Sequence, residues 1–333
     1  MKKKNIIILL VALLVLSALY LINNYKSWST VKFYPEMLSV KDTASITSIF
    51  MANKNGEKVL LERKENGWYV NNLPADMSKI NLLLQTLFQV KVLMPVNDNA
   101  LNTAVSLLAS KGIKTEIYAN KKLIKTIYVG TETPDQTGTI MMLDGNDKPV
   151  IAHIPGFVGY LTPRFVVNET KMRSRLVFNI QANQIKSVKV NYPLDSKKSF
   201  LVQNNRLFDD KNNLVQTADT GFIKFYLNSF TNLYAEGFMT EFSKEETDSL
   251  LQSTPFCVIS VTDSNDNLTQ LTIFKKPVGK RTKERFNAET NEVYEFDTER
   301  YYATLNTHNL LMGIQSYSFG RIMRTISDFT RNK

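Results

Sequence analysis

Residues 73–90 read LPADMSKINLLLQTLFQV, and this stretch decides the fold. Asp76 offers the side-chain oxygen of a good N-cap. Behind it Met77, Ile80, Leu83, Leu84, Leu87 and Val90 recur at helical spacing, so the stretch is a helix with one apolar face. Upstream, Ile46-Thr-Ser-Ile49, an alternating segment over 58–63 and Trp68-Tyr-Val70 are punctuated by Asn55-Gly56 and Asn66-Gly67, dipeptides that favour tight hairpin turns. Downstream, a second short helix near 101–110 closes at Lys111-Gly112, where glycine can cap a C-terminus. Strands are predicted over 113–118, 123–129 and 150–154. A helix beside an antiparallel meander makes an α+β unit.

The same pattern returns downstream. Ile185-Lys-Ser-Val188 matches Ile46-Thr-Ser-Ile49, and Ala218-Asp219 matches Ala75-Asp76. Ile223, Tyr226, Leu227, Phe230 and Leu233 repeat the stripe of Ile80, Leu83, Leu84, Leu87 and Val90. Ser249-Leu-Leu251 matches Ser106-Leu-Leu108, and Val293-Tyr294 matches Val150-Ile151. Ile223 follows Ile80, Leu250 follows Leu107 and Val293 follows Val150 by the same 143 residues. One offset at three separated places argues for two similar α+β units with antiparallel sheets, expected over 44–170 and 171–333. The bland alternative is that strand–helix–strand patterns resemble one another anyway.

Ahead of both units, Lys2, Lys3 and Lys4 precede an uncharged run over 6–22. As a helix at about 1.5 Å per residue that run, extended through Trp28, spans a hydrocarbon core of about 30 Å. Tyr20, Tyr25 and Trp28 fall where amphipathic rings favour the far interface, and the lysines place the near end in the cytoplasm. The expectation is an N-terminal transmembrane helix over 1–28 as a signal anchor, a linker over 29–43, and the bulk of the chain on the far, periplasmic side of the inner membrane. A cleaved signal peptide is the competing reading; its apolar region is usually about 7–15 residues and ends in small residues, whereas this exit reads Leu19-Tyr-Leu-Ile22.

Charge and composition narrow the chemistry. The 333 residues carry 41 Lys+Arg against 31 Asp+Glu, for +10. Without the four lysines of residues 1–28 the balance is 37 against 31, a mild +6 that is no nucleic-acid footprint. The single cysteine, Cys257, forbids an intrachain disulfide, and with only His153 and His308 a Cys/His zinc site is excluded by count. His153 precedes Phe296 by the same 143 residues, which assigns it a sheet-facing core position, and His308 reads as a surface residue. Asp263, Asn265 and Asn267 copy the opening spacing of a calcium loop, but Leu268 and Phe274 stand where glycine and a bidentate carboxylate are needed, so a polar turn is expected. No catalytic motif, cofactor signature or phosphate-cradling loop is present, although the acid pairs Asp209-Asp210 and Glu245-Glu246 leave a folded carboxylate site open. The interaction candidates are basic: Lys171, Arg173 and Arg175 at the join, and Arg321 and Arg324 near the C-terminus, where Ile322, Met323, Ile326 and Phe329 share a helical face. Such a helix either lies on an anionic bilayer or packs its apolar face on the second unit.

Several of these motifs together resemble the bacterial family known as domain of unknown function 4340. They are the anchor, Ile46-Thr-Ser-Ile49, Gly67-Trp-Tyr-Val70, Leu73-Pro-Ala-Asp76, Lys111-Gly112-Ile113, Ile127-Tyr-Val-Gly130 and the join Met172-Arg-Ser-Arg-Leu-Val-Phe178. Ser174 departs from the family's pattern, in which an acid is common at that place. The resemblance implies an anchored envelope protein, associated with an ABC-type transporter of the gliding-motility kind, and carries over no catalytic residue. The expected function is therefore a non-enzymatic binding or accessory protein partnered with the inner membrane and with transporter or other envelope proteins. The alternatives are an extracytoplasmic hydrolase of cell-wall or glycan polymer, and a structural spacer.

Overall fold

The structure, a computed structural model, describes residues 34–279, 282–287, 289–290 and 292–330, together with Val15 and Ser17. The segment read as a membrane anchor lies outside these residues, and among the described ones no helix is long and apolar enough to cross a membrane. The chain divides into two units between Ser174 and Arg175. Each has one large antiparallel sheet with a few helices, an α+β arrangement.

In the first unit the strands are β1 (Ile46–Ala52), β2 (Lys58–Lys64), β3 (Gly67–Val70), β4 (Leu73–Pro74), β5 (Lys91–Pro95), β6 (Ile113–Ala119), β7 (Lys122–Glu132), β8 (Thr139–Leu143) and β9 (Val150–His153). They form one sheet in the order β4-β3-β2-β1-β6-β7-β8-β9-β5. Helix α1 (Met77–Gln89) lies between β4 and β5 in sequence, α2 (Asp98–Lys111) between β5 and β6, and a single turn, α3 (Glu169–Met172), ends the unit. The stripe of α1 buries Ile80, Leu83 and Leu87 in the same core as Ile49, Leu61, Ile117, Ile127 and Met172. Burying each such side chain contributes about 1.5–3 kcal/mol. Thr86, fully buried on that face, satisfies its hydroxyl by donating to the Leu82 carbonyl at 2.7 Å.

The second unit opens with β10 (Leu176–Phe178), which pairs with β14 (Leu233–Tyr234) in a two-stranded sheet. Its main sheet contains β11 (Ile185–Asn191), β12 (Phe200–Gln203), β13 (Arg206–Phe208), β15 (Gly237–Phe238), β16 (Cys257–Asp263), β17 (Leu268–Pro277), β18 (Phe296–Leu305) and β19 (His308–Gln315), ordered β13-β12-β11-β16-β17-β18-β19-β15. Position for position this repeats β3-β2-β1-β6-β7-β8-β9-β5, with β4 as an additional edge strand of the first sheet. Helix α4 (Thr220–Leu227) takes the place of α1 and α5 (Lys244–Gln252) that of α2; a turn, α6 (Ser316–Phe319), follows β19. The first strands even share an irregularity. The register of β1 on β6 shifts between Ile46 and Ser48, and that of β11 on β16 between Ile185 and Ser187.

The constant offset of 143 does not hold. It is 139 at the shared bulge and 143 at the helix caps Asp76 and Asp219. It becomes 144 at the next strand pair, where Thr115 faces Ile127 and Ile259 faces Leu271, and 162 at the last, where Met141 faces Val150 and Ala303 faces Met312. The hairpin joining β17 to β18 is thus longer by the difference between 144 and 162. Met312, not Val293, is the counterpart of Val150; Val293 sits on the hairpin extension, bridged to Phe286. His153 corresponds to Gln315 rather than Phe296, and it is half-buried opposite Lys91 of the edge strand β5 instead of in a core slot.

Two further expectations change at the ends of the units. Residues 34–42, read as part of a linker, belong to the first unit: Leu38 is fully buried and Val40 nearly so, both in its core. The Lys125 ammonium donates to the Met37 and Ser39 carbonyls at 2.7 and 2.5 Å, Val92 N–H to the Pro35 carbonyl at 2.8 Å, and Val40 N–H to the Leu87 carbonyl at 2.8 Å. The C-terminal segment is not one amphipathic helix. After α6 it turns, then forms a 3-10 helix at Ile326–Phe329, and Ile322 and Phe329 are fully buried in the second core while Met323 and Ile326 pack against it.

Candidate functional site

The basic residues at the join divide between the two units, Lys171 and Arg173 in the first and Arg175 in the second. Asn168 caps α3 by accepting from the Lys171 N–H at 2.9 Å, and the chain after it runs back along β4: Asp76 N–H donates to the Met172 carbonyl at 2.8 Å, and Ser174 N–H to the Pro74 carbonyl at 2.8 Å. Lys171 is exposed, and its carbonyl accepts from the Lys79 ammonium. Arg173, in bridge pairing with Ala75, is only 8% exposed. Burial draws its guanidinium pKa down, opposed by the nearby Glu169 carboxylate. Arg173 therefore belongs to the closing seam of the first unit.

Arg175 begins the second unit. Its Nη1 donates to the Glu236 carbonyl at 2.8 Å while its own carbonyl accepts from Ala235 N–H at 2.8 Å. The Glu236 carboxylate in turn holds Arg300 by two bonds, from Nε at 2.9 Å and Nη2 at 3.1 Å. This fork holds the Glu236 carboxyl below the usual glutamate range and raises the Arg300 guanidinium. Three neighbouring strands position the node, because Arg300 of β18 faces Gln315 of β19, and Gly237 of β15 faces Gly313 two residues before Gln315. Glu236 and Arg300 were not among the sequence candidates. They lie 64 residues apart, and the long hairpin between β17 and β18 hides their shared row.

Joined to this node through the Arg300 backbone is a charge buried among the described residues of the second unit. The side chain of Asp297 is 1% exposed; its Oδ2 accepts from Lys276 Nζ at 2.7 Å and Thr282 Oγ1 at 3.1 Å, and its Oδ1 from the Glu299 and Arg300 N–H groups at 2.9 and 3.1 Å. Burial opposes ionisation, but the Lys276 ammonium, the Glu299 N–H and the Thr282 hydroxyl outweigh it and hold the carboxyl below its ordinary value. Four donors use the whole acceptor capacity of a carboxylate. Asp297 is thus a fastener for the base of the extended hairpin rather than a general base.

Arg321 and Arg324 also face their own unit. Arg321 Nη2 donates to the Thr231 carbonyl at 2.7 Å, and the Arg324 carbonyl accepts from the Tyr192 hydroxyl at 3.0 Å while its guanidinium stands 6.0 Å from the Phe222 ring centre. The calcium-like segment is an Asx turn: Asp263 Oδ1 accepts from Asn265 and Asn267 N–H at 2.8 and 2.9 Å. Asp209 repeats that arrangement on Lys211 and Asn213. Among the described residues no group of three or more His, Cys, Asp or Glu side chains is placed to hold a metal ion. His308 Nδ1 accepts from Leu310 N–H at 3.4 Å, its ring edge-on to Phe238 at 5.9 Å. Cys257 is buried and its thiol is pushed up to about 12, which removes the thiolate that metal binding or nucleophilic attack needs.

The side chains singled out in the sequence are thus mostly consumed in closing each unit, which leaves Lys171 as the exposed cation of the set. A family model described as domain of unknown function (DUF4340) matches residues 68–255, more than half of the chain and parts of both units. No curated protein and no solved structure matches the chain.

Proposed function

The chain belongs to the DUF4340 family, and from that premise we propose that it is a membrane-anchored, extracytoplasmic accessory protein whose two units bind a partner, an ABC-type transporter of the gliding-motility-associated kind. The observation that carries this reading is the entry of the chain into its first unit. Leu38 and Val40, ten and twelve residues after the expected end of the leader at Trp28, are already core residues, which supports a folded body held close to the membrane. The repeated strand order supports descent of the two units from one duplicated unit, which sets two similar folded bodies on one anchor. The three leading lysines support the orientation in this reading, a single pass through the inner membrane with the bulk of the chain periplasmic.

The test is affinity capture of the full chain from detergent-solubilised membranes. The expected result is retention in the membrane fraction through alkaline carbonate, with transporter permease and nucleotide-binding subunits co-purifying in stoichiometric amount. A chain that leaves the membrane with carbonate overturns the anchor. A chain that stays but purifies alone overturns the partnership.

A further inference from the structure

The edge of the first unit where the chain enters carries an apolar patch that its own core does not use. Tyr34 is 62% exposed, Phe88 at the end of α1 47%, and the consecutive Leu93 and Met94 of β5 45% and 50%. Alternation would send one of that last pair inward. Both face out because the register of β5 on β9 shifts between Val92 and Met94. The bond from Val92 N–H to the Pro35 carbonyl and that from Val40 N–H to the Leu87 carbonyl gather the entering chain, the end of α1 and β5 at one place. Basic groups border it: the Lys41 ammonium lies 5.7 Å from the Phe88 ring centre, and Lys91 opens β5 two residues before Leu93. Glu36, the acid of the site, is ion-paired to Lys41 at 2.7 Å.

We infer that this patch rests on the bilayer surface, with Phe88, Leu93 and Met94 in the headgroup region and Lys41 and Lys91 toward anionic lipid. The inference deepens the proposed function and rests on its anchor. Reach decides the occupant. Six peptide links separate Trp28, at the expected end of the anchor, from Tyr34, and fully extended they span about 20 Å. The patch beside Tyr34 is therefore held near the membrane whatever else binds the chain. Aromatic and aliphatic side chains edged by lysine stems are the composition that partitions into the interface.

The experiment uses the full chain in vesicles of phosphatidylcholine and phosphatidylglycerol, with one nitroxide label at a time on F88C, L93C or M94C. N55C, exposed in the turn between β1 and β2, serves as an aqueous control, and L13C reports the anchor. Cys257 is fully buried and stays in place as an unlabelled background. Labels at 88, 93 and 94 are expected to show an oxygen-to-nickel accessibility ratio about threefold or more above that of N55C, as interfacial depth requires. A hydrocarbon-like L13C with water-like labels at 88, 93 and 94 overturns the docking and leaves the anchor standing. Chains that fail to float with vesicles, with L13C water-like, remove the anchor and the docking with it. Spin–spin broadening at 93 and 94 that disappears on dilution with unlabelled chain means that a second copy covers the patch, and likewise overturns the inference.

Discussion

Two aspartates do the same work at the start of the corresponding helices α1 and α4. Asp76 Oδ1 accepts from Ser78 N–H at 3.0 Å and Asp219 Oδ1 from Gly221 and Phe222 N–H at 2.8 and 3.1 Å, while their own N–H groups reach the carbonyls of the buried Met172 and Phe329 at 2.8 and 2.9 Å. Replacing either with alanine removes the cap but keeps the backbone bond, and is expected to cost about 1 kcal/mol in urea unfolding, similarly in each unit. Asp297 is a different case. Its carboxyl is held below the ordinary 3.8, so its stabilisation is complete above that value and is lost as pH falls through the lowered one. Asp297→Asn leaves Lys276 beside a neutral partner and is expected to cost about 3 kcal/mol at pH 7. The gap between variant and parent should shrink below pH 3.8, and a gap independent of pH would contradict the assignment. Such caps were legible in the sequence because an N-cap is a local pattern. The Asp297 fastener was not, since its donors come from Lys276 and Thr282 across a hairpin. Turn chemistry was half legible. Asn-Gly marked two hairpins, but the two-residue turns with both residues at positive φ are Asn71-Asn72, Asn120-Lys121 and Asn204-Asn205, where asparagine alone carries the signal.

At the scale of elements, the α1 stripe and its copy in α4 were readable from spacing, whereas β8 was missed because Thr139-Ile-Met-Met-Leu143 has no alternation to declare it. The C-terminal segment packs its apolar residues on the second unit, as one of its two readings had it, but not as a single helix, and for a physical reason. Apolar residues at helical spacing also suit a chain that folds back over a core, and here Phe329 meets the rings of Phe200, Phe222 and Tyr226 at 4.8, 5.1 and 5.2 Å. Phe329→Ala is expected to cost about 3–5 kcal/mol, read as a lower urea midpoint for the second unit, with the first unit unchanged. A surface helix would lose almost nothing. The entering segment makes a matching prediction. A chain beginning at Tyr34 should keep the stability of the first unit, and one beginning at Thr43 should lose about 3 kcal/mol or more with Leu38, Val40 and the two carbonyl acceptors of Lys125.

For the whole molecule, each sheet is closed by residues of its own unit and each has its own buried core. Residues 34–174 and 175–330 expressed apart are therefore expected to unfold cooperatively in urea, each in a single transition, and a molten second piece would contradict that expectation. The two-unit plan was visible as a repeat, and its detailed correspondence was not, because the offset drifts from 139 to 144 along the chain and one lengthened hairpin then carries it to 162 after Pro277. The pairing of the first strand of each large sheet with one far along the chain, β1 with β6 and β11 with β16, also governs how the gene can be cut. A fragment from Trp68 to Pro255, the span recognised by family, would strip β1 from β6 and β16 from β11. Each half-sheet would then present a raw, unpaired margin of amide and carbonyl groups, the template from which inclusion bodies grow.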